Sequence, residues 1–287
     1  MEAALRNRLT FGPIMLGAAL GILWFDAWFE ARTQIAGVGL LGLLLVVMPL
    51  AVRELATLFA AEKVEPYKSI ASFGGIGLLV HAFCTQFVDE RGILTPTAVG
   101  IVVLTMLAAA LRRALRKTTD DAIVQMAGTL LATMYIGGLM WFLLALRVLE
   151  TPNFTGDTMK VVFVLIAVKF TDIGAFTFGK LLGRHKLIPW LSPGKTWEGL
   201  AGGLLTAAGI GAGVAPFVEQ IPWYHGAWMA AVLGLIGQGG DLLESMLKRD
   251  ADVKDSGASI PGFGGVLDVI DSPLLAAPAA YLLFSLL

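Results

Sequence analysis

Four polar side chains recur at helical spacing within a largely apolar stretch near the C-terminal end of the chain. They are Asp241, Glu244, Ser245 and Lys248. Positions i, i+3, i+4 and i+7 lie on one face of a helix, so the four side chains are expected to point the same way. Because a buried charge is costly unless it is paired, this face predicts a polar site. A helix-end salt bridge, with Lys248 extending to the surface, is the alternative.

A glycine-rich turn with two more carboxylates follows. It reads Pro-Gly-Phe-Gly-Gly-Val-Leu-Asp-Val-Ile-Asp-Ser, with glycines at Gly262, Gly264 and Gly265 and carboxylates at Asp268 and Asp271. Glycines let the backbone approach an anion, and the N–H groups at the start of a helix point towards it. Because Mg²⁺ is commonly held by one or two carboxylates plus substrate phosphates, the turn predicts metal-assisted phosphate chemistry. A hinge whose aspartates cap a helix is the alternative.

Two shorter patterns upstream add further charges. Lys169 and Asp172 are one turn apart inside an apolar segment, where pairing lowers the cost of both charges. Ser192, Lys195 and Thr196 belong to the sequence Ser-Pro-Gly-Lys-Thr, and a lysine after Pro-Gly at a helix start can bind phosphate. Carboxylates, glycine turns and lysines together predict phosphoryl or nucleotidyl transfer, which depends mainly on positioning and charge stabilisation.

The elements that position these residues are predicted to be membrane helices. The 287-residue chain is 56% hydrophobic and 15% charged, with a mean hydropathy of +0.76, whereas soluble domains contain roughly 25% charged residues. A spanning helix needs about 20 mostly apolar residues. The candidate segments are approximately 11–29, 35–50, 70–88, 97–111, 125–146, 161–179, 198–216, 227–247 and 264–287. We therefore expect an all-α polytopic membrane bundle of about nine transmembrane helices, forming one domain over residues 1–287, with N-terminal helices to about 150 and a catalytic half from about 160.

Positive charges are divided unevenly among the predicted loops. Lysine and arginine concentrate in alternate loops, and the polar patterns described above border that same set. By the positive-inside rule, these loops and the N-terminus face the cytoplasm. The sequence therefore predicts an integral membrane protein with a cytoplasmic site, located in the cytoplasmic membrane if the source is bacterial.

The spacing of the C-terminal patterns resembles the signature of phosphatidate cytidylyltransferases, also called CDP-diacylglycerol synthases. That signature runs Ser-x-x-Lys-Arg-x4-Lys-Asp and then, after a short spacer, Pro-Gly-His-Gly-Gly-x-x-Asp-Arg-x-Asp. The matching residues are Ser245, Lys248, Arg249, Lys254, Asp255, Pro261, Gly262, Gly264, Gly265, Asp268 and Asp271. Phe263 stands in place of the signature histidine and Val269 in place of its arginine. The resemblance is strongest from about Lys169 to Ser272.

The resemblance implies a reaction in which CTP and phosphatidate give CDP-diacylglycerol and pyrophosphate. It implies Asp241 and Asp268 as the leading ligands of Mg²⁺, with two ions expected and with Asp271 and Asp172 in support. The implied phosphate-binding and substrate-binding residues are Lys248, Arg249, Lys254, Lys195, Ser192, Thr196, Ser245, Asp255, Gly262, Gly264 and Gly265. The expected partners are CTP, phosphatidate and membrane lipid, with no nucleic acid. Helix faces of small residues are compatible with a homodimer.

Two other functions remain open at the level of sequence. The first is a related enzyme acting on an isoprenoid lipid, either a CTP-dependent kinase or a cytidylyltransferase. The second is an ion-coupled transporter with Asp172, Lys169 and Asp241 as its relay. Transporters bind near the membrane midplane, whereas these acids are predicted near the cytoplasmic boundary, which favours the enzyme. Because Cys84 is the only cysteine, an intrachain disulfide and a multi-cysteine zinc site are excluded.

Overall fold

The computed structural model describes residues 2–88, 91–151, 154–218 and 221–287. The all-α prediction is confirmed, because helices account for most of these residues. The helices are α1 Glu2–Thr33, α2 Val38–Ala61, α3 Lys68–Cys84, α4 Arg91–Leu115, α5 Ala122–Ala132, α6 Leu139–Val148, α7 Thr158–Leu182, α8 Trp197–Val214, α9 Trp223–Asp250 and α10 Leu267–Ser285. A π-helical turn, Thr133–Gly138, joins α5 to α6, and short 3₁₀ turns occur at Thr85–Phe87 and Ala215–Phe217. The strands are β1 Glu150–Thr151, β2 Phe154–Thr155, β3 Lys186–Ile188 and β4 Ser192–Thr196.

All nine predicted membrane segments fall on helices, with α5 and α6 continuing as one through the π-helical turn. Among the described residues, eight helices are long and apolar enough to cross a membrane. Of the nine predicted segments, the one on α9 is not among these eight helices. The α9 helix is 28 residues long but carries glycines and the charged face around Asp241. This helix content is that of an integral membrane protein.

The chain divides into two compact units. The first comprises Met1–Glu150 and Asp250–Val269, and the second comprises Thr151–Arg249 and Ile270–Leu287. The segment between α9 and α10, which holds the glycine-rich turn, therefore groups with the N-terminal helices. The predicted single membrane domain over residues 1–287, with a catalytic half from about 160, stays a prediction.

In the first unit, a buried ion pair ties the ends of three helices together. The Nε of Arg147 lies 2.6 Å from Asp26 Oδ2, and both residues are almost fully buried. Asp26 also accepts hydrogen bonds from the backbone N–H groups of Gly37 and Gly39, at 3.2 and 2.7 Å. These bonds satisfy a carboxylate that would otherwise be costly to bury.

In the second unit, α7 and α8 pack backbone to backbone on small residues. A Cβ added to Gly203 would lie 2.7 Å from the carbonyl oxygen of Thr171, and one added to Gly199 would lie 2.8 Å from that of Ala175. Only glycine permits so close an approach at these positions. The contact places the Asp172 region of α7 beside the start of α8, where the β3–β4 hairpin ends.

The hairpin itself is held at the start of α8. Strands β3 and β4 pair antiparallel, with Lys186 opposite Thr196. The Thr196 hydroxyl caps α8 by accepting the backbone N–H of Gly199 at 3.1 Å. The carboxylate of Glu198 accepts the backbone N–H groups of Arg184 and His185. Lys195, next to the cap, is therefore held on an ordered strand.

Candidate active site

Lys195 and Asp241 form the closest ion pair of the second unit's polar site. The Nζ of Lys195 lies 2.6 Å from Asp241 Oδ2, with the two side chains 18% and 37% exposed. Lys195 lies on β4 and Asp241 on α9, so the pair joins residues far apart in the chain. The Nζ of Lys195 is itself buried, so a polyanionic ligand could reach it only by displacing neighbouring groups, whereas the partly exposed Asp241 carboxylate is open to a cation.

A second pair lies one turn further along α9. Glu244 is fully buried, and its Oε1 lies 3.4 Å from the Nζ of Lys248. The carboxyl of Asp271, on α10, lies close enough to Glu244 to interact with it and accepts the backbone N–H of Ser272 at 2.6 Å. The helix-end salt bridge that was the alternative to a polar site is thus seen at Lys248. It occurs together with neighbouring carboxylates from Glu244 and Asp271.

Asp172 completes this group from α7. Its Oδ1 accepts a hydrogen bond from Gln238 Nε2 at 2.7 Å, and its Oδ2 lies 4.0 Å from Lys169 Nζ. The predicted pairing of Lys169 with Asp172 is therefore seen at the long limit of a salt bridge. Asp241 and Asp271 both lie within electrostatic range of Asp172. We refer to Asp172, Asp241, Glu244 and Asp271 as the acidic cluster.

Glycines on α9 allow three helices to bring the acidic cluster together. A Cβ added to Gly240 would lie 2.9 Å from the carbonyl oxygen of Asp271, so α9 and α10 meet backbone to backbone. A Cβ on Gly237 would lie 3.1 Å from the Val168 side chain on α7. The sequence Gly-Gln-Gly-Gly before Asp241 thus has a packing role beside the carboxylates.

The donor chemistry of the acidic cluster suits a hard divalent cation. Carboxylate oxygens are the ligands that Mg²⁺ prefers, and the ion usually completes its shell with water and substrate phosphates. Among the described residues, no three His, Cys, Asp or Glu side chains converge closely enough to enclose a metal.

In the first unit, the glycine-rich turn folds around one oxygen of Asp268. Asp268 Oδ2 accepts the backbone N–H and hydroxyl of Ser256, at 2.9 and 2.7 Å, and the backbone N–H of Gly265, at 2.7 Å. Gly262 and Gly264 have φ angles of 85° and 101°, which side-chain-bearing residues rarely adopt. The alternative in which Asp268 caps the helix start is thus seen in the structure.

Glu54 is a residue that the sequence prediction did not assign to the site. It lies on α2, is 8% exposed, and its Oε1 accepts the hydroxyl of Ser259 at 2.6 Å. It also accepts the backbone N–H groups of Val266 and Leu267, at 3.0 and 2.8 Å, where α10 begins. Its sequence signal was an acidic residue just after the apolar run predicted at 35–50.

The N–H groups at the start of α10 are therefore occupied by carboxylates of the protein. Glu54 takes those of Val266 and Leu267, and Asp268 takes that of Gly265. A phosphate could bind there only if these bonds exchanged. The substrate-binding roles of Gly262, Gly264 and Gly265 consequently stay predictions.

The structure distributes the remaining predicted site residues between the two units. In the second unit, Ser192 and Ser245 are half-buried, Thr196 is buried as the cap of α8, and Arg249 is exposed. In the first unit, Lys254 and Asp255 are exposed, and Phe263 lies against Gly12 of α1. The predicted metal ligands Asp241 and Asp268 belong to different units, so their pairing stays a prediction.

The fold and the site together define a polytopic α-helical membrane protein with a polar site of carboxylates and lysines. The chain belongs to the cytidylyltransferase family, whose model matches residues 6–287. The family thus covers both units.

Three curated relatives align with part of the chain. A phosphatidate cytidylyltransferase of Bacillus subtilis (strain 168) is 40% identical over 158 residues, covering 54% of this chain and 57% of the relative. One of Mycobacterium leprae (strain TN) is 41% identical over 129 residues, covering 45% and 41%. An uncharacterised protein of Escherichia coli (strain K12) is 38% identical over 136 residues, covering 47% and 46%. The chain thus aligns with about half the length of these relatives.

Proposed function

We propose that this protein transfers the cytidylyl group of CTP to phosphatidate, giving CDP-diacylglycerol and pyrophosphate. The observation that carries the proposal is the acidic cluster of the second unit with Lys195 bound to Asp241. The spaced signature on α9 and α10 and the names of the relatives add support. The similar relatives described above that carry an enzyme name share one name, and the isoprenoid alternatives have no such support.

In the proposed reaction, an oxygen of the phosphatidate phosphate attacks the α-phosphorus of CTP. A new phosphorus–oxygen bond forms, the bond from the α-phosphorus to the bridging oxygen breaks, and pyrophosphate leaves in line. No residue needs to become a covalent nucleophile. Lys195 and Lys248 bind phosphate oxygens, and their positive charges stabilise the charge that develops there. Lys195 would exchange its bond to Asp241 for one to a substrate phosphate.

Magnesium is the proposed cofactor. Asp241 and Asp271 would hold it in the second unit, with Asp172 in support, and Asp268 stays a predicted ligand from the signature. When bound, such an ion neutralises charge on the phosphates and orients the reacting oxygens. Gln238 and Ser272 orient Asp172 and Asp271 by direct hydrogen bonds, which fixes the direction of the carboxylate oxygens.

We further propose that the N-terminus and the site face the cytoplasm, where CTP is found. This rests on the uneven distribution of lysine and arginine between alternate loops. Phosphatidate would reach the site from the membrane. A homodimer is compatible with the small-residue helix faces and is left to direct measurement of the mass in detergent.

The acceptor lipid can be tested with the purified full-length protein in detergent micelles. Phosphatidate, a polyprenol and a polyprenyl phosphate are each offered with CTP labelled at either the α- or the γ-phosphorus. We expect α-label to enter lipid only with phosphatidate. Transfer of γ-label to a polyprenol would identify a kinase, and transfer of α-label to a polyprenyl phosphate would identify an isoprenoid cytidylyltransferase. Either result would refute the proposal.

A further inference from the structure

A cluster of three arginines on the first unit has no role in the proposed reaction. Arg112 and Arg113 lie in the last turn of α4, and Arg116 follows directly after its last residue, where the chain leaves its apolar segment. The guanidinium carbons of Arg112 and Arg116 lie 5.1 and 5.5 Å from the centre of the Tyr67 ring. Two cations therefore share one aromatic ring, and like charges placed this close together repel.

Arg113, the third member, is buried without an anionic partner. It is 7% exposed, and its NH1 donates to Gln125 Oε1 at 3.3 Å. Its buried Nε has no hydrogen-bond acceptor among the described residues. The same Gln125 oxygen accepts the hydroxyl of buried Tyr67 at 2.9 Å, so it is already shared. A buried guanidinium that is satisfied by one shared amide oxygen calls for a counter-ion.

The described part of the protein does not supply that counter-ion. No described carboxylate lies within 4.0 Å of a nitrogen of the three guanidinium groups. The C-terminal end of α4 contributes a partial negative charge, which helps cations at this position. It does not provide the bidentate acceptor that guanidinium groups prefer, which is a phosphate or a carboxylate.

The surroundings of the arginines place them at the level of lipid headgroups. Exposed leucines form a stripe on α4 that reaches the same turns: Leu104, Leu107, Leu111 and Leu115, which are 66%, 53%, 62% and 73% exposed. A stripe of this kind on a helix able to cross a membrane faces lipid chains. Arginines at its end extend to the interface, where an aromatic residue such as Tyr67 is also favoured.

We propose that Arg112, Arg113, Arg116 and Tyr67 form a binding site for the phosphate of an anionic phospholipid headgroup. The exposed guanidinium groups of Arg112 and Arg116 bind the phosphate oxygens, and the phosphate neutralises the charge of Arg113 beneath them. Anionic lipids are attracted by basic residues at the interface, and arginine binds phosphate through paired N–H groups. The site is independent of the proposed reaction, because its ligand is retained rather than converted.

Native mass spectrometry of the full-length protein in detergent tests this site. Phosphatidylglycerol is the probe, since it is anionic and is not a reactant in the proposed reaction. The double variant Arg112→Gln with Arg116→Gln is compared with Arg53→Gln with Lys63→Gln, which removes two exposed cations elsewhere on the first unit. We expect the double variant to bind phosphatidylglycerol about 30-fold more weakly and each single variant about 5-fold more weakly. The control pair should bind like the wild type.

Further arms of the same experiment separate the sources of phosphate. Phosphatidylcholine and inorganic phosphate are each added in place of phosphatidylglycerol, and both are expected to bind the wild type weakly. Equal binding of phosphatidylglycerol by the double variant and the wild type would overturn the proposal. So would an equal loss in the control pair, equal binding of phosphatidylcholine, or tight binding of inorganic phosphate that the double variant lacks. If the double variant does not fold, the two single variants decide the question.

Discussion

Asp241 is the residue on which the proposed chemistry depends most directly. It is paired with Lys195 at 2.6 Å and lies within electrostatic range of Asp172 and Asp271. Replacing its carboxylate with an amide preserves the shape of the side chain and removes a hard, charged oxygen ligand. The change also leaves Lys195 without its anionic partner.

We expect Asp241→Asn to lower turnover with CTP and phosphatidate on the order of 10²-fold or more, by analogy with loss of a preorganised charge partner. The control is Asp120→Asn, because Asp120 is exposed in the loop after α4. Initial rates are measured in detergent at saturating Mg²⁺. Near-full turnover by Asp241→Asn would remove this residue from the site.

Asp268 is predicted to differ from Asp241 because it also holds the turn. Its Oδ2 accepts three hydrogen bonds from Ser256 and Gly265. We expect Asp268→Ala to lower the rate by a similar factor and also to lower the melting temperature, whereas Asp241→Asn should lower the rate alone. Melting is followed by intrinsic fluorescence. Normal turnover by Asp268→Ala would contradict its role in the reaction, and an unchanged melting temperature would contradict its role in the turn.

Glu54 gives a prediction about stability. In Glu54→Gln, one carboxylate oxygen becomes an amide nitrogen, which cannot accept the buried N–H of Val266 or Leu267. A buried donor left unsatisfied costs about 1–3 kcal/mol, so the melting temperature should fall. Glu62→Gln is the matched control, since Glu62 is exposed at the end of the same helix. Equal melting temperatures for the two variants would show that Glu54 does not hold the turn.

At the scale of elements, two glycines of α8 allow the effect of helix packing on stability to be measured apart from the effect of helix propensity. A Cβ at Gly203 would lie 2.7 Å from the backbone oxygen of Thr171, whereas Gly209 on the same helix has no atom within 4 Å of an added Cβ. Gly203→Ala should therefore destabilise the protein by about 1–3 kcal/mol through overpacking. Gly209→Ala should be neutral or stabilising, because alanine favours a helix more than glycine does.

The comparison of these two alanine variants uses thermal unfolding in one detergent. Because Thr171 precedes Asp172 on α7, Gly203→Ala is also expected to reduce turnover by shifting that carboxylate. A Gly203→Ala protein as stable as Gly209→Ala would show that α7 and α8 need no close backbone contact.

The elements were largely predictable from sequence, whereas their long-range contacts were not. Runs of about 20 apolar residues predicted all nine helical segments, and the helical spacing of Asp241, Glu244 and Lys248 predicted one polar face. The contact between Glu54 and the start of α10 joins residues about 200 positions apart. No local pattern encodes such a contact, because an acidic residue near a helix end is ordinary.

The pairing of Lys195 with Asp241 illustrates the same limit. Both residues were predicted site residues, one for phosphate and one for metal, from their local motifs. Their salt bridge depends on how β4 and α9 pack, which spacing along the chain does not determine. The hydrogen bonds that occupy the N–H groups at the start of α10 were not predicted for the same reason, because Glu54 lies on another helix, α2.

At the scale of the whole molecule, the predicted topology can be tested with single cysteines. Cys84 is the only native cysteine, so a Cys84→Ala background is free of thiols. Lys254→Cys in the loop before α10 is expected to react with a membrane-impermeant thiol reagent only after cells are opened. Glu150→Cys, after α6, should react in intact cells. The reverse pattern would place the site on the outer face and contradict access to cytoplasmic CTP.

The measurement that tests the central proposal most directly follows the α-phosphorus of CTP. Purified protein is incubated with phosphatidate, Mg²⁺ and CTP labelled at that atom, with and without EDTA, beside the Asp241→Asn variant. We predict that label enters the lipid with release of one pyrophosphate per labelled lipid, and that EDTA or Asp241→Asn nearly abolishes both. Absence of label in the lipid from the wild-type protein, under conditions in which it remains folded, would contradict the proposed function.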